Sequence, residues 1–174
     1  DKLYPISKGK FGKPILEVNN FTDGLRFKHV SFKLKRGEIL GIAGVVGSGR
    51  SELAQSIFGI NPSKGGSIKI DEKEVSIKKP KDARNFGIAY IPEDRGTQGL
   101  VKEMKISHNV SMANLDREAN GILIIFKKEM QNAINAINKL GIRARNALQL
   151  VRQLSGGNQQ KVVVAKWLQT EPRI

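Results

Sequence analysis

The sequence predicts an α/β fold whose first half is mostly strand and whose second half is mostly helix. Two observations support this. An apolar run enters a glycine-rich loop that leads directly into a helical pattern, and apolar residues recur at helical spacing beyond Leu100. The 174 residues are 39% hydrophobic and include no cysteine. The chain is therefore long enough to bury a sizeable core, and disulfides and thiol chemistry are excluded.

Thirty Lys and Arg residues against sixteen Asp and Glu give a formal charge of +14. This charge favours nucleic acid, lipid headgroups or nucleotide phosphates as partners, although a solvated basic surface is the simpler interpretation. No apolar run approaches the roughly 20 residues of a membrane span, and the first residues do not resemble a secretory signal. His29 and His108 lie too far apart in sequence to suggest a metal site. We expect a cytoplasmic chain.

The first half contains the pattern of a phosphate-binding βα unit. Residues 1–14 have no periodicity and are interpreted as an arm or linker. Residues 15–21 and 27–35 alternate like two antiparallel strands, with Val30, Phe32 and Leu34 sharing a face in the second strand. Residues 37–46 have no polar face, which predicts a strand buried on both sides. The glycine loop follows immediately.

Further elements follow the loop. Leu53, Ile57 and Phe58 share one helical face, and Gly59 and Pro62 mark that helix's exit. Four more segments are then predicted, in chain order: a hairpin over residues 66–77, a short helix ending at Gly87, a buried strand over 88–95 that breaks at Pro92, and a helix ending at Gly141. In this last helix the predicted apolar face comprises Phe126, Met130, Ile134, Ile137 and Leu140.

The glycine loop reads "GVVGSGRSE" over residues 44–52. Glycines at Gly44, Gly47 and Gly49 allow backbone N–H groups to turn inward around an anion, and the following helix adds its positive end. The spacing matches G-x-x-x-x-G-K-[ST], in which lysine reaches the β- and γ-phosphates and the hydroxyl binds Mg²⁺. Here Arg50 replaces lysine and Glu52 adds a negative charge. The loop alone fits a phosphate site and a structural turn equally.

A second motif, "LSGGNQQKVVVAKWL", spans residues 154–168. Ser155, Gly156 and Gly157 are typical of a helix start, with a hydroxyl cap and two exposed N–H groups. The helix that follows is predicted to bury Val163, Val164, Trp167 and Leu168. An ordinary capped helix would also explain this motif on its own.

Together the two motifs resemble one family, the ATP-binding domains of ATP-binding cassette (ABC) transporters, in which "LSGG" is the signature. The resemblance extends over nearly the whole chain and implies a P-loop NTPase fold with an antiparallel β subdomain and a helical subdomain. Within this family, the chain most resembles the second of two fused cassettes in importers of ribose, xylose and galactoside type. In these, Arg commonly stands in the P-loop, as Arg50 does here, and Glu-Asp-Arg replaces the glutamine-loop glutamine, as at Glu93, Asp94 and Arg95.

The resemblance also implies the site residues and cofactors. ATP and Mg²⁺ are the expected ligands, with Ser51 as a weak magnesium ligand and Glu93 at the glutamine-loop position. The implied P-loop residues are Gly44, Gly47, Ser48, Gly49, Arg50, Ser51 and Glu52. The implied signature residues, which would face the ATP of a partner cassette, are Leu154, Ser155, Gly156, Gly157, Asn158 and Gln159. The adenine-stacking ring is not identified; Tyr4, Phe21 and Phe27 are available, but each fits the core or the arm better.

The resemblance further implies that the chain is a fragment. It ends at Ile174, before the Walker B carboxylates and the His loop, so no catalytic residue is expected within it and hydrolysis by this polypeptide alone is expected to be negligible. The expected domain layout is an arm or linker (1–14) and a partial nucleotide-binding domain (15–174). The latter divides into a β-rich core with the P-loop (15–100), a helical subdomain with the signature helix (101–170) and the start of the Walker B strand (171–174).

The expected function is that of an ATPase cassette coupling ATP binding and hydrolysis to monosaccharide import at the cytoplasmic face of the membrane. Its own P-loop would be degenerate. Expected partners are a second cassette, fused in the same polypeptide, transmembrane permease subunits and, indirectly, a solute-binding protein. Residues 93–110 follow the glutamine-loop position and are expected to contact the permease. Two alternatives remain: a soluble cassette protein acting on ribosomes or nucleic acid, and a non-hydrolysing structural cassette. The sequence shows no long basic run, so nucleic acid is not expected.

Overall fold

A computed structural model describes residues 11–120 and 123–174. These residues divide into two compact units, one that extends to Phe86 and includes Ile174, and one that extends from Gly87 to Arg173. The predicted arm lies mostly in residues 1–10, outside the described residues. In the described part of the chain, no helix combines the length and the apolar character needed to cross a membrane.

The first unit is built on a four-stranded sheet in the order β2-β1-β3-β4. The strands are β1 (Pro14–Thr22), β2 (Val30–Lys35), β3 (Gly65–Ile70) and β4 (Lys73–Val75). Each pairing is antiparallel, which confirms the predicted pairing of the first two strands. The central strand β1 carries the fully buried Val18, which lies opposite Phe32 of β2 and Ile68 of β3. Apolar alternation on this face therefore sets the register of the sheet.

The predicted hairpin is also confirmed. Strands β3 and β4 are joined by Asp71 and Glu72, whose φ angles of 50° and 66° are both positive. Two such residues give a two-residue turn the twist that suits a hairpin. The unit's two helices are α1 (Arg50–Ile57) and α2 (Pro80–Asn85). α1 buries Leu53 and Ile57 as expected, and the turn after α2 contains Gly87 at φ 80°.

Two predicted buried strands are wrong. Residues 38–46 form no strand, and their apolar side chains face outward: Ile39 is 98% exposed and Val46 97% exposed. Residues 88–91 form no strand either, although Ile88 is buried. A strand buried on both faces needs neighbouring strands to pair its backbone and cover its side chains. In the described part of the chain, the paired strands are the four of the antiparallel sheet and a separate two-stranded pair in the second unit, and none of them pairs with either segment.

The second unit is mainly helical. It begins with a π-helical turn (Arg95–Gly99), and its helices and strands are α3 (Ile106–Ser111), α4 (Leu115–Glu118), β5 (Ala119–Asn120), β6 (Leu123–Ile124), α5 (Phe126–Leu140) and α6 (Gly156–Leu168). Single 3₁₀ turns lie at Met112–Asn114 and Val151–Gln153. This confirms the predicted change from strand to helix along the chain.

The core of this unit lies between α3, α5 and α6. Its buried residues are Leu100, Ile106, Val110, Ala136, Ile142, Val151, Leu154, Val162, Val163 and Ala165. The predicted face of α5 is partly wrong. Phe126 and Ile134 are exposed, whereas Glu129, Ala133 and Ala136 are buried. Small residues let α5 approach α3 closely, and this proximity decides which face turns inward. In α6, Val163 is buried as predicted, but Leu168 is exposed.

Replacing isoleucine by alanine at a buried and at an exposed position tests which helix faces form the core of the second unit. Ile106→Ala removes a fully buried side chain and should cost about 2–5 kcal/mol of unfolding free energy. Ile134→Ala removes a 40% exposed side chain and should change it by less than about 0.5 kcal/mol. Urea unfolding followed through the fluorescence of Trp167, the single tryptophan, measures both. Equal losses would contradict the placement of α5.

Candidate functional site

The glycine loop of the first unit forms a tight turn before α1. The Ser48 N–H donates to the Val45 carbonyl at 3.1 Å. Gly47 and Gly49 have φ angles of 82° and 83°, in the left-handed region that other residues avoid. The loop therefore has the backbone conformation that its glycines predict.

Close approach explains two of these glycines. A Cβ at Gly49 would lie 2.5 Å from the Arg26 carbonyl oxygen, and a Cβ at Gly44 would lie 2.5 Å from Ser48 Oγ. A Cβ at Gly47 would meet no atom within 4 Å. Gly49 is thus required both by its φ angle and by the space around it, whereas Gly47 is required by its φ angle alone.

Helix α1 begins without a side-chain cap. Gly49 occupies the N-cap position, and the first intrahelical bond runs from the Leu53 N–H to the Gly49 carbonyl at 2.8 Å. The three preceding N–H groups, of residues 50–52, have no intrahelical partner and lie at the positive end of the helix. Arg50 and Ser51 are exposed there. This arrangement suits an anion, as the sequence predicts.

Two side chains modify this positive end. The Arg50 side chain folds back over the loop, with its Cδ 3.4 Å from where a Cβ at Gly44 would be. Glu52 lies in the first turn of α1, and its Oε1 is 3.7 Å from Arg26 Nη1. A carboxylate in the first turn interacts favourably with the helix end and so offsets the charge that would attract phosphate.

Ser51 is the residue of this loop that the sequence predicts to bind a magnesium ion. Its hydroxyl is exposed at the second position of α1. Mg²⁺ usually keeps several waters and takes few protein ligands beside the phosphates it bridges, so one hydroxyl is a sufficient protein contribution.

The second unit holds the residues predicted to form the glutamine-loop position and the signature. Glu93 is exposed. Asp94 next to it caps the turn Arg95–Gly99: its Oδ1 accepts from the Gly96 N–H at 2.7 Å, and its Oδ2 accepts from the Thr97 hydroxyl at 2.7 Å. The Thr97 hydroxyl, followed by the Gly96 N–H, holds the pKa of Asp94 below its usual value. Asp94 therefore has a structural role in shaping the turn.

The start of α6 differs from the predicted hydroxyl cap. Ser155 occupies the N-cap position with φ −62° and ψ 157°, but its side chain makes no capping bond to the helix backbone. Instead, Ser155 Oγ accepts a hydrogen bond from Asn158 Nδ2 at 2.8 Å. The prediction of a hydroxyl cap is therefore wrong, because a side-chain amide takes the place of a backbone N–H. Ser155 and Gly157 remain exposed.

The other signature residues anchor this helix start. Leu154 is buried in the core of the unit. Gln159 Nε2 donates to the Leu154 carbonyl at 3.1 Å and to the Val151 carbonyl at 3.3 Å. A Cβ at Gly157 would meet nothing within 4 Å, so the space beside its Cα is open. Leu154 and Gln159 thus fix the helix start to its own unit, whereas Ser155 and Gly157 are exposed to solvent.

Arg95 is a functional candidate whose contact the sequence did not predict. A Cβ at Gly156 would lie only 2.6 Å from Arg95 Nη2, so the guanidinium lies directly against the first residue of α6. Its Nε is buried without a hydrogen-bond partner among the described residues. A cation next to the positive end of a helix increases the local attraction for an anion.

Lys166 holds the Arg95–Gly99 turn against α6. Its Nζ donates to the Gly99 carbonyl at 2.6 Å, and the side chain is only 8% exposed. Burial lowers the pKa of Lys166. A Cβ at Gly99 would lie 3.0 Å from Val163, so the turn packs closely on the helix. The signal for this contact was in the sequence: Lys166 falls on the same helical face as Val162 and Val163.

Two aromatic rings considered for adenine stacking belong to the core. Phe21 and Phe27 stack on each other with ring centroids 6.0 Å apart, and both are buried. This confirms the simpler interpretation for both rings. Tyr4 lies outside the described residues.

The architecture matches solved ATP-binding cassettes. A nucleotide-free ATP-binding cassette from an ABC transporter superposes with a TM-score of 0.75 and 23% identity, over 91% of this chain and 66% of that one. A dimeric bacterial ABC transporter cassette superposes with a TM-score of 0.71 and 23% identity, over 91% and 71%. The fold is therefore that of a P-loop NTPase cassette, an α/β fold, as the sequence predicts.

The sequence comparisons identify the family. The family model described as ABC transporter matches residues 27–174, and the chain belongs to this family. Among curated relatives, the ribose import ATP-binding protein RbsA of Clostridium tetani is 42% identical over 175 residues, which is 100% of this chain and 35% of the relative. The RbsA of Oceanobacillus iheyensis is 42% identical over 174 residues, again 100% and 35%. The chain thus spans about a third of the length of these relatives.

The two explanations for the loop glycines predict different costs. Gly47→Ala should lower the local opening free energy of the loop by roughly 1–2 kcal/mol, because only the left-handed backbone is strained. Gly49→Ala should cost more, since the new methyl group also collides with the Arg26 carbonyl. Hydrogen exchange of the Leu53 N–H, which bonds to Gly49, reports the local opening free energy in both variants. If the Leu53 N–H were equally protected in the two variants, the proposed collision at residue 49 would be wrong.

The capping role of Asp94 can be tested by titration. Because the folded-state pKa is lowered, the contribution of Asp94 to stability is present above the usual aspartate pKa of 3.8 and is lost as the pH falls through the lowered folded-state pKa. Carboxyl NMR should show a titration midpoint below 3.8 for Asp94. Thr97→Val removes the largest cause and should raise that midpoint, while Thr170→Val, away from the turn, should leave it unchanged. An unmoved midpoint in Thr97→Val would contradict this role.

Proposed function

We propose that the chain is one ATP-binding cassette of a monosaccharide importer, in which ATP binding and hydrolysis are coupled to transport. Membership of the ABC transporter family supports the ATP-binding role, and the names of the ribose import relatives support the class of substrate. In this proposal the chain is the second of two cassettes in one polypeptide. Its partners are the first cassette, transmembrane permease subunits and, through them, a solute-binding protein, at the cytoplasmic face of the membrane.

The observation that carries the proposal is the start of α6. Ser155 and Gly157 are exposed, the first N–H groups have no capping side chain, and the Arg95 guanidinium lies against Gly156. No acidic residue lies in the first turn of this helix. These groups together present hydrogen-bond donors and positive charge to an incoming anion. The ligand we propose is the γ-phosphate of an ATP molecule bound by the partner cassette.

The chain's own glycine loop is proposed as the weaker site. Its backbone suits phosphate, but Arg50 lies across the loop and Glu52 offsets the positive end of α1. Ser51 would contribute a hydroxyl to Mg²⁺, which when bound neutralises charge on the phosphates. The same two features favour a second candidate function for this loop, in which it holds nucleotide without hydrolysing it.

The layout of domains remains part of the proposal. The β-rich residues 15–100 would form the core with the P-loop, residues 101–170 the helical subdomain, and residues 171–174 the beginning of the next strand. Residues 93–110 would face the permease. In that segment, Asn109 bonds to the carbonyls of Val101 and Lys105 at 3.0 and 3.1 Å and to the Val101 N–H at 2.9 Å. These bonds give a loop near the glutamine-loop position a defined shape for docking.

Two substitutions test the assignment in the two-cassette polypeptide assembled with its permease. Ser155→Ala should lower kcat for ATP hydrolysis by about 10²-fold, the effect of losing one donor to developing charge. Arg50→Ala should lower kcat by less than about tenfold, since the loop it occupies is the weaker site. Ser155→Thr retains the hydroxyl and serves as the matched control. If Arg50→Ala abolishes turnover while Ser155→Ala leaves it unchanged, the assignment is wrong.

A further inference from the structure

We infer that Asn158 is a positioning residue that makes the Ser155 hydroxyl a hydrogen-bond donor toward the phosphate. The inference rests on the proposed function, because it assigns a second residue to the same signature site. Its basis is a chain of two hydrogen bonds that runs from the Arg143 backbone through the Asn158 amide to Ser155 Oγ.

The Arg143 backbone fixes the orientation of the Asn158 amide. The Arg143 N–H lies 2.8 Å from Asn158 Oδ1. A backbone N–H can only donate, so the amide atom facing it must be the oxygen. The opposite amide atom, 2.8 Å from Ser155 Oγ, is therefore Nδ2.

This orientation determines the role of the Ser155 hydroxyl. An amide NH₂ group can only donate, so Ser155 Oγ must accept the bond from Asn158. The hydroxyl proton is then directed away from Asn158, on an exposed side chain at the beginning of α6. Phosphate oxygens are acceptors at neutral pH, and a hydroxyl whose proton is available is the form of serine that binds them.

The same bond leaves the backbone of α6 available. A serine at the N-cap commonly accepts from the N–H of the second or third helical residue, which satisfies that donor. Here the Asn158 side chain occupies the hydroxyl in place of a backbone N–H, and Ser155 makes no backbone capping bond. Both the hydroxyl proton and the first-turn N–H groups can then reach one ligand. In an ordinary capped helix start, the serine oxygen would occupy one of these N–H groups.

The position of Asn158 is held by the end of α5. Gly141 caps the C-terminal end of helix α5, its carbonyl accepts from Lys161 Nζ at 2.8 Å, and the next residue, Ile142, is buried. The segment 141–143 is thus bonded to α6 at two points, Lys161 and Asn158. A short side chain at residue 158 spans this segment and Ser155 simultaneously, so the hydroxyl orientation depends on how α5 and α6 pack.

A double-mutant cycle in the assembled two-cassette polypeptide tests the inference. Asn158→Ala should lower kcat for ATP hydrolysis roughly tenfold with little change in KM, the size of effect expected when one hydrogen bond in the transition state is weakened. In a Ser155→Ala background it should change kcat by less than about twofold, because it acts through that hydroxyl. Asn146→Ala removes an amide that bonds the Leu148 N–H in a neighbouring loop and serves as the matched control.

Asn158→Asp provides a second variant of nearly the same shape. One carboxylate oxygen can still accept from the Arg143 N–H, but the other can only accept from Ser155, which turns the hydroxyl proton inward. This variant should preserve the unfolding midpoint yet lower kcat at least as much as Asn158→Ala.

The outcomes separate the inference from the proposed function. Loss of kcat in Asn158→Ala that disappears in the Ser155→Ala background supports the inference. Equal losses in both backgrounds, or normal turnover in Asn158→Asp, would overturn it while leaving the signature site intact. Full activity of Ser155→Ala by itself would instead contradict the proposed function.

Discussion

The second unit depends on the contact between the Arg95–Gly99 turn and helix α6. Gly99 lies close against Val163, and Lys166 reaches from the buried face of the helix to the Gly99 carbonyl. Burying an ammonium group costs free energy unless it is hydrogen-bonded. Separating the turn from the helix would remove the hydrogen bond of Lys166, so the two elements behave as one structural piece. The same contact places the Arg95 guanidinium at the start of α6. Without it, the signature would be a helix start with its N–H groups alone.

The two helix starts in the chain obey the same physics and differ in their charges. Both α1 and α6 begin without a capping bond from a side chain to the helix backbone, so both offer N–H groups at a positive end. In α1, Glu52 lies within the first turn, whereas the first turn of α6 has no acidic residue and has Arg95 beside it. This contrast gives a physical reason for treating the signature and the glycine loop as unequal sites.

Local patterns predicted much of the fold. Alternation predicted β1 and β2, and turn residues predicted the β3–β4 hairpin and the ends of α2 and α5. The buried strands predicted over residues 37–46 and 88–95 are absent, because burial on two faces depends on neighbouring strands, which composition does not reveal. The glycine loop before α1 and the helix that begins at Gly156 lie where their motifs predicted them. The bonds of Asn158 to Arg143 and of Lys166 to Gly99 join residues far apart in sequence. The helical pattern of α6 places Lys166 on the buried face, but no local pattern identifies the partner of either side chain.

The contact between Arg95 and Gly156 also affects stability. The folded unit keeps a guanidinium next to the positive end of a helix, whereas the unfolded chain separates these charges. Folding must therefore overcome a repulsion that contributes nothing to the core. An anion bound there removes the repulsion and adds its own binding energy to the folded state. The charge repulsion lowers the unfolding free energy of the unit when no anion is bound. The unfolding free energy should therefore depend on ionic strength more than the apolar core alone would suggest.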